Sequence, residues 1–438
     1  MKASAISLLL FGASLIANAA EPWTVERCME YAAEHSHIVR QQRYDLNESC
    51  TERTRAIGAF LPSIYGETSG QMNFGRAIDP ETNTYTNVST LYNGYGLQAS
   101  LTIFDGLQRY NELRLARANV AMGRSGVEAE RDDVRMKVYK AYMELVYCEG
   151  AIEQTSRKRD ESRSLLRQTE VMAEVGQKSD ADVAQMRATL AADDYELTHM
   201  QSQCIKARLA LKQLMNYPVT DTLLVVTDIV SGETKQSQDE SPEQIYSHAV
   251  LGNPRVMQAK SGVDAARYNL RAARGMLLPT LSFSAGVTTS FYRNMDHGGH
   301  ASFGSQFKNN AGEYLSLSLS IPIFNRLSTL STIRSRRVAL DRAVDNLAYQ
   351  RSELQRIIVE TAADVDNSRK EVAKMLEQVA SDSIAAHLTT RKYEEGLASS
   401  IDVKTAAVTL LQSRVRLLQS RLTLMYNQWV MEYYRQQR

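Results

Sequence analysis

Gly275-Met276-Leu277-Leu278-Pro279-Thr280-Leu281 restates Gly58-Ala59-Phe60-Leu61-Pro62-Ser63-Ile64, with the prolines 279 − 62 = 217 residues apart. Further along, Ile321-Pro322-Ile323-Phe324-Asn325 answers Leu101-Thr102-Ile103-Phe104-Asp105 at 324 − 104 = 220. Glu394-Glu395-Gly396 with Asp402-Val403 then answers Glu174-Val175-Gly176 with Asp182-Val183, again at 396 − 176 = 220. Several anchors in one order at a near-constant offset mark an internal duplication. The chain therefore reads as a first repeat over 20–216, a linker over 217–241 and a second repeat over 242–438.

Each repeat carries a helix, two strands, a very long helix, a turn and another helix. In the first, helices fall at about 24–60, 106–173 and 180–215, and strands at about 61–75 and 92–104. The second repeats this with helices at 242–278, 326–394 and 399–434, and strands at 279–293 and 313–324. Only 8 Pro and 22 Gly occur, which suits long continuous helices. The linker holds Pro218, Gly232 and the polar run Gln236-Ser237-Gln238-Asp239-Glu240, a surface composition.

The strands alternate with period two. Leu315, Leu317, Leu319, Ile321 and Ile323 interleave with Ser316, Ser318 and Ser320, and Leu281, Phe283, Ala285 and Val287 interleave with Ser282, Ser284, Gly286 and Thr288. Leu97, Ala99, Leu101 and Ile103 do the same less cleanly. Strands of a soluble sandwich alternate too; a membrane barrel needs one face for lipid and one for the lumen. The helices carry a heptad seam: Val408, Leu411, Val415, Leu418, Leu422, Met425 and Trp429 are spaced three and four apart. Val134, Val138, Ala141, Leu145, Cys148 and Ile152 repeat this spacing, and Val183, Leu190, Leu197, Cys204 and Leu211 recur every seventh residue. Charged and amide side chains cover the rest of these helices, so the structure they build is wet on both sides.

Met1-Lys2, an apolar run from Ala5 to Leu15 and Ala17-Asn18-Ala19 form a secretory leader over 1–19. Cys28 is the first cysteine after it, which argues against an N-terminal lipid anchor. No later apolar run is long enough for a spanning helix, so membrane insertion must use strands. The formal net charge is +1, a poor balance for a nucleic-acid partner. Four strands cannot close a barrel, and open edges in lipid leave backbone groups unsatisfied, so the chain must oligomerise. Three copies give twelve strands, an even count within the barrel range, and twelve helix passes that can roll into a hollow cylinder.

The residues resemble the TolC-type outer-membrane factors of efflux pumps and type I secretion systems. The resemblance spans the mature chain: Leu61-Pro62 and Leu278-Pro279 entering the strand pairs, Phe104 and Phe324 leaving them, and the Gly176-to-Val183 and Gly396-to-Val403 turns. Asn73-Phe74-Gly75-Arg76-Ala77-Ile78-Asp79-Pro80 resembles the Bacteroidetes branch. The resemblance implies a mainly α fold with a small antiparallel β part, in which duplicated long-helix hairpins form a periplasmic α-barrel below a 12-stranded trimeric β-barrel in outer-membrane lipid. It implies a homotrimer docked to a periplasmic adaptor and an inner-membrane pump, with tips at Gly176 and Gly396 converging on a closed aperture. Asp402 falls on the family's aperture aspartate, Asp182 on the equivalent position of the first repeat, and Tyr393 on a tyrosine that ties the tips. Ala398 and Thr405 depart from the pattern, replacing a basic residue that links neighbouring tips and a second aspartate.

For Asp182 and Asp402 helix capping is the competing role, although Ser179, Asp180, Ser399 and Ser400 also suit it. Cys148 and Cys204 lie 28 residues on either side of Gly176 and would face each other in a hairpin, either as a disulfide or as two buried thiols. Cys28 and Cys50 have no such relation. His297-Gly298-Gly299-His300 falls between strands with no third ligand near, so no metal or other cofactor is expected. No phosphate loop, nucleophile elbow or paired His on a helix face is present, so no enzyme is expected. The expected function is a passive exit duct for efflux or secretion. The alternative is a non-conducting secreted coiled-coil fibre, which does not account for the duplicated alternating strands.

Overall fold

The computed structural model describes residues 22–78, 83–227, 240–296 and 301–437, and the expected leader and the His297–His300 pair lie outside them. In chain order the elements are α1 (Val25–His35), α2 (His37–Gly58), β1 (Ser63–Ile78), β2 (Tyr85–Asp105), α3 (Gln108–Glu174), α4 (Asp180–Met215), α5 (Pro242–Gly252), α6 (Pro254–Gly275), β3 (Thr280–Asn294), α7 (Phe303–Asn309), β4 (Gly312–Ser320), α8 (Ser328–Glu394) and α9 (Ser400–Gln436). At about 1.5 Å per residue, the 67 residues of α3 and of α8 each make a rod of roughly 100 Å. None of the described helices is apolar enough over its length to cross a membrane.

The chain divides into two compact units that cut across the sequence repeats. One comprises 41–129 and 250–354 and holds the sheet. Its order is β1-β2-β3-β4, antiparallel throughout, with β1 and β4 at the edges. Directly opposed residues share a face. The register therefore puts Ile64, Met72, Phe74, Leu91, Leu97, Leu101, Phe283, Val287, Leu315, Leu317 and Leu319 on one side. Ser69, Gln71, Asn73, Tyr92, Ser100, Ser282, Ser284, Ser316 and Ser318 occupy the other. Leu315, Leu317 and Leu319 are largely exposed, at 78%, 66% and 62%, so nothing in a single chain covers the apolar face of β4.

Where β2 passes into α3, Gly106 has φ +68° and Leu107 φ +65°. A Cβ at Gly106 would lie 2.3 Å from the Gly275 carbonyl oxygen, so this crossing of backbones requires glycine. Arg109 fixes the junction: its Nε meets Asp105 Oδ2 at 2.8 Å, one guanidinium nitrogen donates to the Ala59 carbonyl at 2.7 Å and the other to the carbonyl of Thr102.

The other unit, 1–40, 130–249 and 355–438, is helical. Its core buries Cys28, Val39, Val138, Tyr142, Leu145, Leu211 and Met215. Trp23 pairs in parallel with Val225, and the Tyr142 hydroxyl lies 2.9 Å from the Trp23 carbonyl and 2.8 Å from that of Val226, pinning the start of the chain to the linker. The seam of α3 and α4 is deeply buried at Val134, Val138, Leu145, Cys148, Cys204 and Leu211. On α9 the buried positions are Ser400, Val403, Ser413, Leu417, Ser420, Leu422, Leu424, Val430, Met431 and Tyr434, so of the expected seam Leu422 is buried and Val408, Leu411, Val415, Leu418, Met425 and Trp429 are half-buried.

Several elements differ from the sequence reading. The helix expected over 24–60 breaks at Ser36, whose N–H still bonds the Ala32 carbonyl while its backbone turns extended. That over 242–278 breaks at Asn253, because Pro254 disfavours a helical residue before it and Asn253 caps the new helix through Oδ1 to the amides of Arg255 and Val256. Strand β4 stops at Ser320 rather than 324, just before Pro322, which has no N–H for the ladder. Between β3 and β4, where the sequence pattern predicts no helix, stands α7, whose first turn is capped by Ser302 Oγ accepting from the Ser305 amide.

Candidate functional site

The helical tips are built twice from the same local chemistry. At the end of α3, Gly176 takes φ +75°, its N–H bonds the Ala173 carbonyl at 3.0 Å, and the Gln177 N–H bonds that of Met172 at 2.8 Å. At the end of α8, Gly396 takes φ +77°, with Gly396 to Tyr393 at 3.1 Å and Leu397 to Lys392 at 2.7 Å. This is a left-handed glycine stop, which satisfies carbonyls the helix end would leave orphaned. Three residues on, α4 and α9 begin with matching capping boxes. Ser179 Oγ receives the Asp182 N–H at 3.2 Å while Asp182 Oδ2 accepts from the Ser179 amide at 3.2 Å and hydroxyl at 2.8 Å. Ser399 and Asp402 repeat this at 3.2, 2.9 and 2.7 Å.

Of the roles open to these residues, the structure shows capping for both kinds: Ser179 and Ser399 are the N-caps, and the N3 carboxylates of Asp182 and Asp402 reach back to them, because two orphan donors are then satisfied reciprocally. The hydroxyl and amide of Ser179 hold the Asp182 carboxyl below its ordinary range, and those of Ser399 do the same for Asp402, so both stay ionised at neutral pH. All the capping bonds to Asp402 use Oδ2. Asp402 also lines a hollow of about 370 Å³ with Asp382, Thr389, Thr405 and Thr409. Asp382 Oδ2 is shielded there without a protein partner, a feature that no motif in the sequence signals.

Tyr393 is 1% exposed. Its hydroxyl lies 3.0 Å from Thr169 Oγ1, and Thr169 already donates to the Leu165 carbonyl at 2.8 Å, so Tyr393 is the donor. Lys178 Nζ sits 4.0 Å from the Tyr393 ring centroid and 3.4 Å from its carbonyl oxygen. Tyr393 thus joins the end of α8 to the end of α3 and to the first tip turn. Lys178 is the repeat-mate of Ala398, at 398 − 178 = 220, so the duplication offset could have located a basic tip residue that the family pattern alone did not. Between α3 and α4, buried Asp193 accepts from Lys158 Nζ and, at 2.6 Å, from the Ser162 hydroxyl.

Cys148 and Cys204 are free, buried thiols, the second of the two alternatives rather than a disulfide, and Cys28 and Cys50 are free as well. Burial, with the Glu144 carboxylate and Cys204 adding to it, pushes the Cys148 thiol up to about 11; burial pushes Cys28 up to about 12.

Long paired helices, a four-stranded open sheet with one apolar face, and twin helical tips define the class of TolC-like α-barrel channels with a β-barrel contribution. Residues 29–217 and 245–428 match the outer membrane efflux protein family, and the chain belongs to it. The chain is thus an outer-membrane channel protein and not an enzyme. It is 22% identical over 414 residues to outer membrane efflux protein BepC of Brucella suis biovar 1 (strain 1330), covering 94% of this chain and 85% of that one. It is 22% identical over 396 residues to the cation efflux system protein CusC of Escherichia coli O157:H7, covering 89% and 81%. A crystal structure of CusC superposes with TM-score 0.80 at 17% identity, covering 94% of this chain and 91% of that one.

Proposed function

We propose that three copies of this chain form a passive exit duct through the outer membrane, which receives efflux cargo from a periplasmic adaptor and an inner-membrane pump. The carrying observation is the sheet: β1 and β4 are both unpaired edges, and one face is apolar from Ile64 to Leu319. Unsatisfied edge groups cost several kcal/mol each in lipid, so β4 of one copy pairs with β1 of the next, and twelve strands close. Each repeat, 20–216 and 242–438, contributes one strand pair and one helical hairpin, with 217–241 between them. The tips at Gly176 and Gly396 meet the adaptor. Asp402, and Asp182 at the equivalent position of the first repeat, face the aperture through the carboxylate oxygen that capping leaves over, and Tyr393 holds the tips shut.

The test is conductance in a planar lipid bilayer. The wild-type protein gives small cation-selective currents, and Asp402→Ala gives currents with weaker selectivity. Absence of current under all conditions refutes the duct; currents indifferent to Asp402 keep the duct and refute the gate.

A further inference from the structure

Helix α7 lies against the apolar face of the sheet, at the level where β4 has ended and β3 continues. Phe303 meets Tyr95 edge to face and Phe291 at a tilt, with centroid distances of 6.0 and 5.3 Å, and Phe307 meets Tyr95 edge to face at 5.5 Å. By register, Tyr95 opposes Thr289 and Phe291 opposes Asn93, positions on the same side as Leu97, Val287 and Leu315. The helix is fastened to the exposed edge of β3. Gln306 receives the Tyr292 N–H and donates to the Tyr292 carbonyl, both at 2.9 Å, as a neighbouring strand would. Asn310 donates to the Ser290 carbonyl at 2.8 Å and Thr289 to that of Phe307 at 2.7 Å. Despite this anchoring, Phe303 and Phe307 remain 48% and 42% exposed.

The height of α7 follows from the strand. Leu281 to Phe291 is ten residues, about 34 Å of strand, and at a tilt of about 40° that is roughly 26 Å along the membrane normal. This matches the apolar band of an outer-membrane barrel, about 25 Å, so Phe291 and α7 fall at its outer boundary. Arg293 comes two residues later on the same face, and Lys308 lies in the last turn of α7. Both are exposed, and neither forms an ion pair with a described residue. Arg76, over the Tyr85 ring at 5.2 Å, continues this face further out. Glu313, opposite Val287, lies on the same face four residues nearer the middle of the strand, within the Leu281–Phe291 span and at the start of the edge strand β4.

Resting on the reading that this face meets lipid, we propose that α7 is an interfacial anchor: its phenylalanines enter the outer leaflet, and Arg293 and Lys308 bind the phosphate of lipid headgroups. Aromatic rings favour this boundary, and cations just beyond it complement phosphate.

The test uses the full-length protein in vesicles of phosphatidylcholine with and without phosphatidylglycerol. In a Phe303→Trp variant, the emission added over wild type is quenched by lipids brominated near the headgroup and little by aqueous iodide. By native mass spectrometry, the preference for retained phosphatidylglycerol over phosphatidylcholine falls on the order of tenfold in Arg293→Gln/Lys308→Gln. Iodide quenching without bromine quenching, in protein that still conducts, overturns the anchor and leaves the duct standing. Bromine quenching with an unchanged lipid preference in the double variant overturns phosphate recognition. Protein that does not insert refutes the duct itself, and the anchor with it.

Discussion

Tyr393→Phe removes one oxygen from the point where the two helical hairpins meet. The Tyr393 hydroxyl donates to Thr169 Oγ1 at 3.0 Å, and Thr169 is itself fully buried, so no water replaces the lost donor. A buried neutral hydrogen bond is worth about 1 kcal/mol net, which raises the population of locally opened tip about fivefold. Native-state hydrogen exchange reads this directly: amides of 172–180 and 392–400 exchange about fivefold faster, and those around Val138 and Leu145 do not change. Tyr393→Ala also removes the buried ring and the seat of Lys178, and costs about 3–5 kcal/mol. Thr169→Val on top of Tyr393→Phe costs little more, since the bond is already gone. Unchanged exchange at 172–180 in Tyr393→Phe, or a change confined to 392–400, refutes the linkage.

Other consequences follow the same logic. Asp193→Ala strands Lys158 in a buried site and lowers stability by about 3–5 kcal/mol in thermal denaturation, while Lys158→Met/Asp193→Leu recovers most of it. Leu317→Arg puts a charge on the apolar face and weakens assembly by about 2–4 kcal/mol, measured as dissociation in denaturant, whereas Ser318→Arg on the other face is tolerated. The folded-state carboxyls of Asp182 and Asp402 lie below their unfolded values, so their stabilisation is present above about pH 4–5 and is lost as pH falls through the depressed values; tip exchange rises on acidification, and less in Ser399→Ala at the second tip. At pH 8, with its thiol near 11, Cys148 alkylates about 100-fold more slowly than an ordinary thiol, and half-buried Cys50 reacts first.

The long helices and the sheet faces were legible because they rest on periodicity: α8 spans Ser328–Glu394 where the sequence placed a helix at 326–394, and the Leu315–Leu319 alternation occupies one face. Local competition was less legible. Pro254 announced a helix break that amphipathic continuity masked, and β2 begins at Tyr85 because Tyr85, Asn87 and Ser89 pair by backbone without an apolar alternation to reveal them. At the tips, the sequence showed that Ser and Asp occur together but not which oxygen caps which amide, a matter of backbone geometry. The equal spacing of Cys148 and Cys204 from Gly176 brings them to one level of a hairpin but does not decide between a disulfide and two buried thiols, because spacing along the chain does not set how closely the two side chains approach. Helix α7 is too short to carry a period, and its place depends on Gln306 and Asn310 finding the β3 edge.

Native mass spectrometry of the protein released from detergent tests the central claim, closure of the open sheet by like chains, most directly. The account predicts particles of three chains. A stable particle of one chain that still conducts in a bilayer would contradict it, because four strands cannot close a barrel.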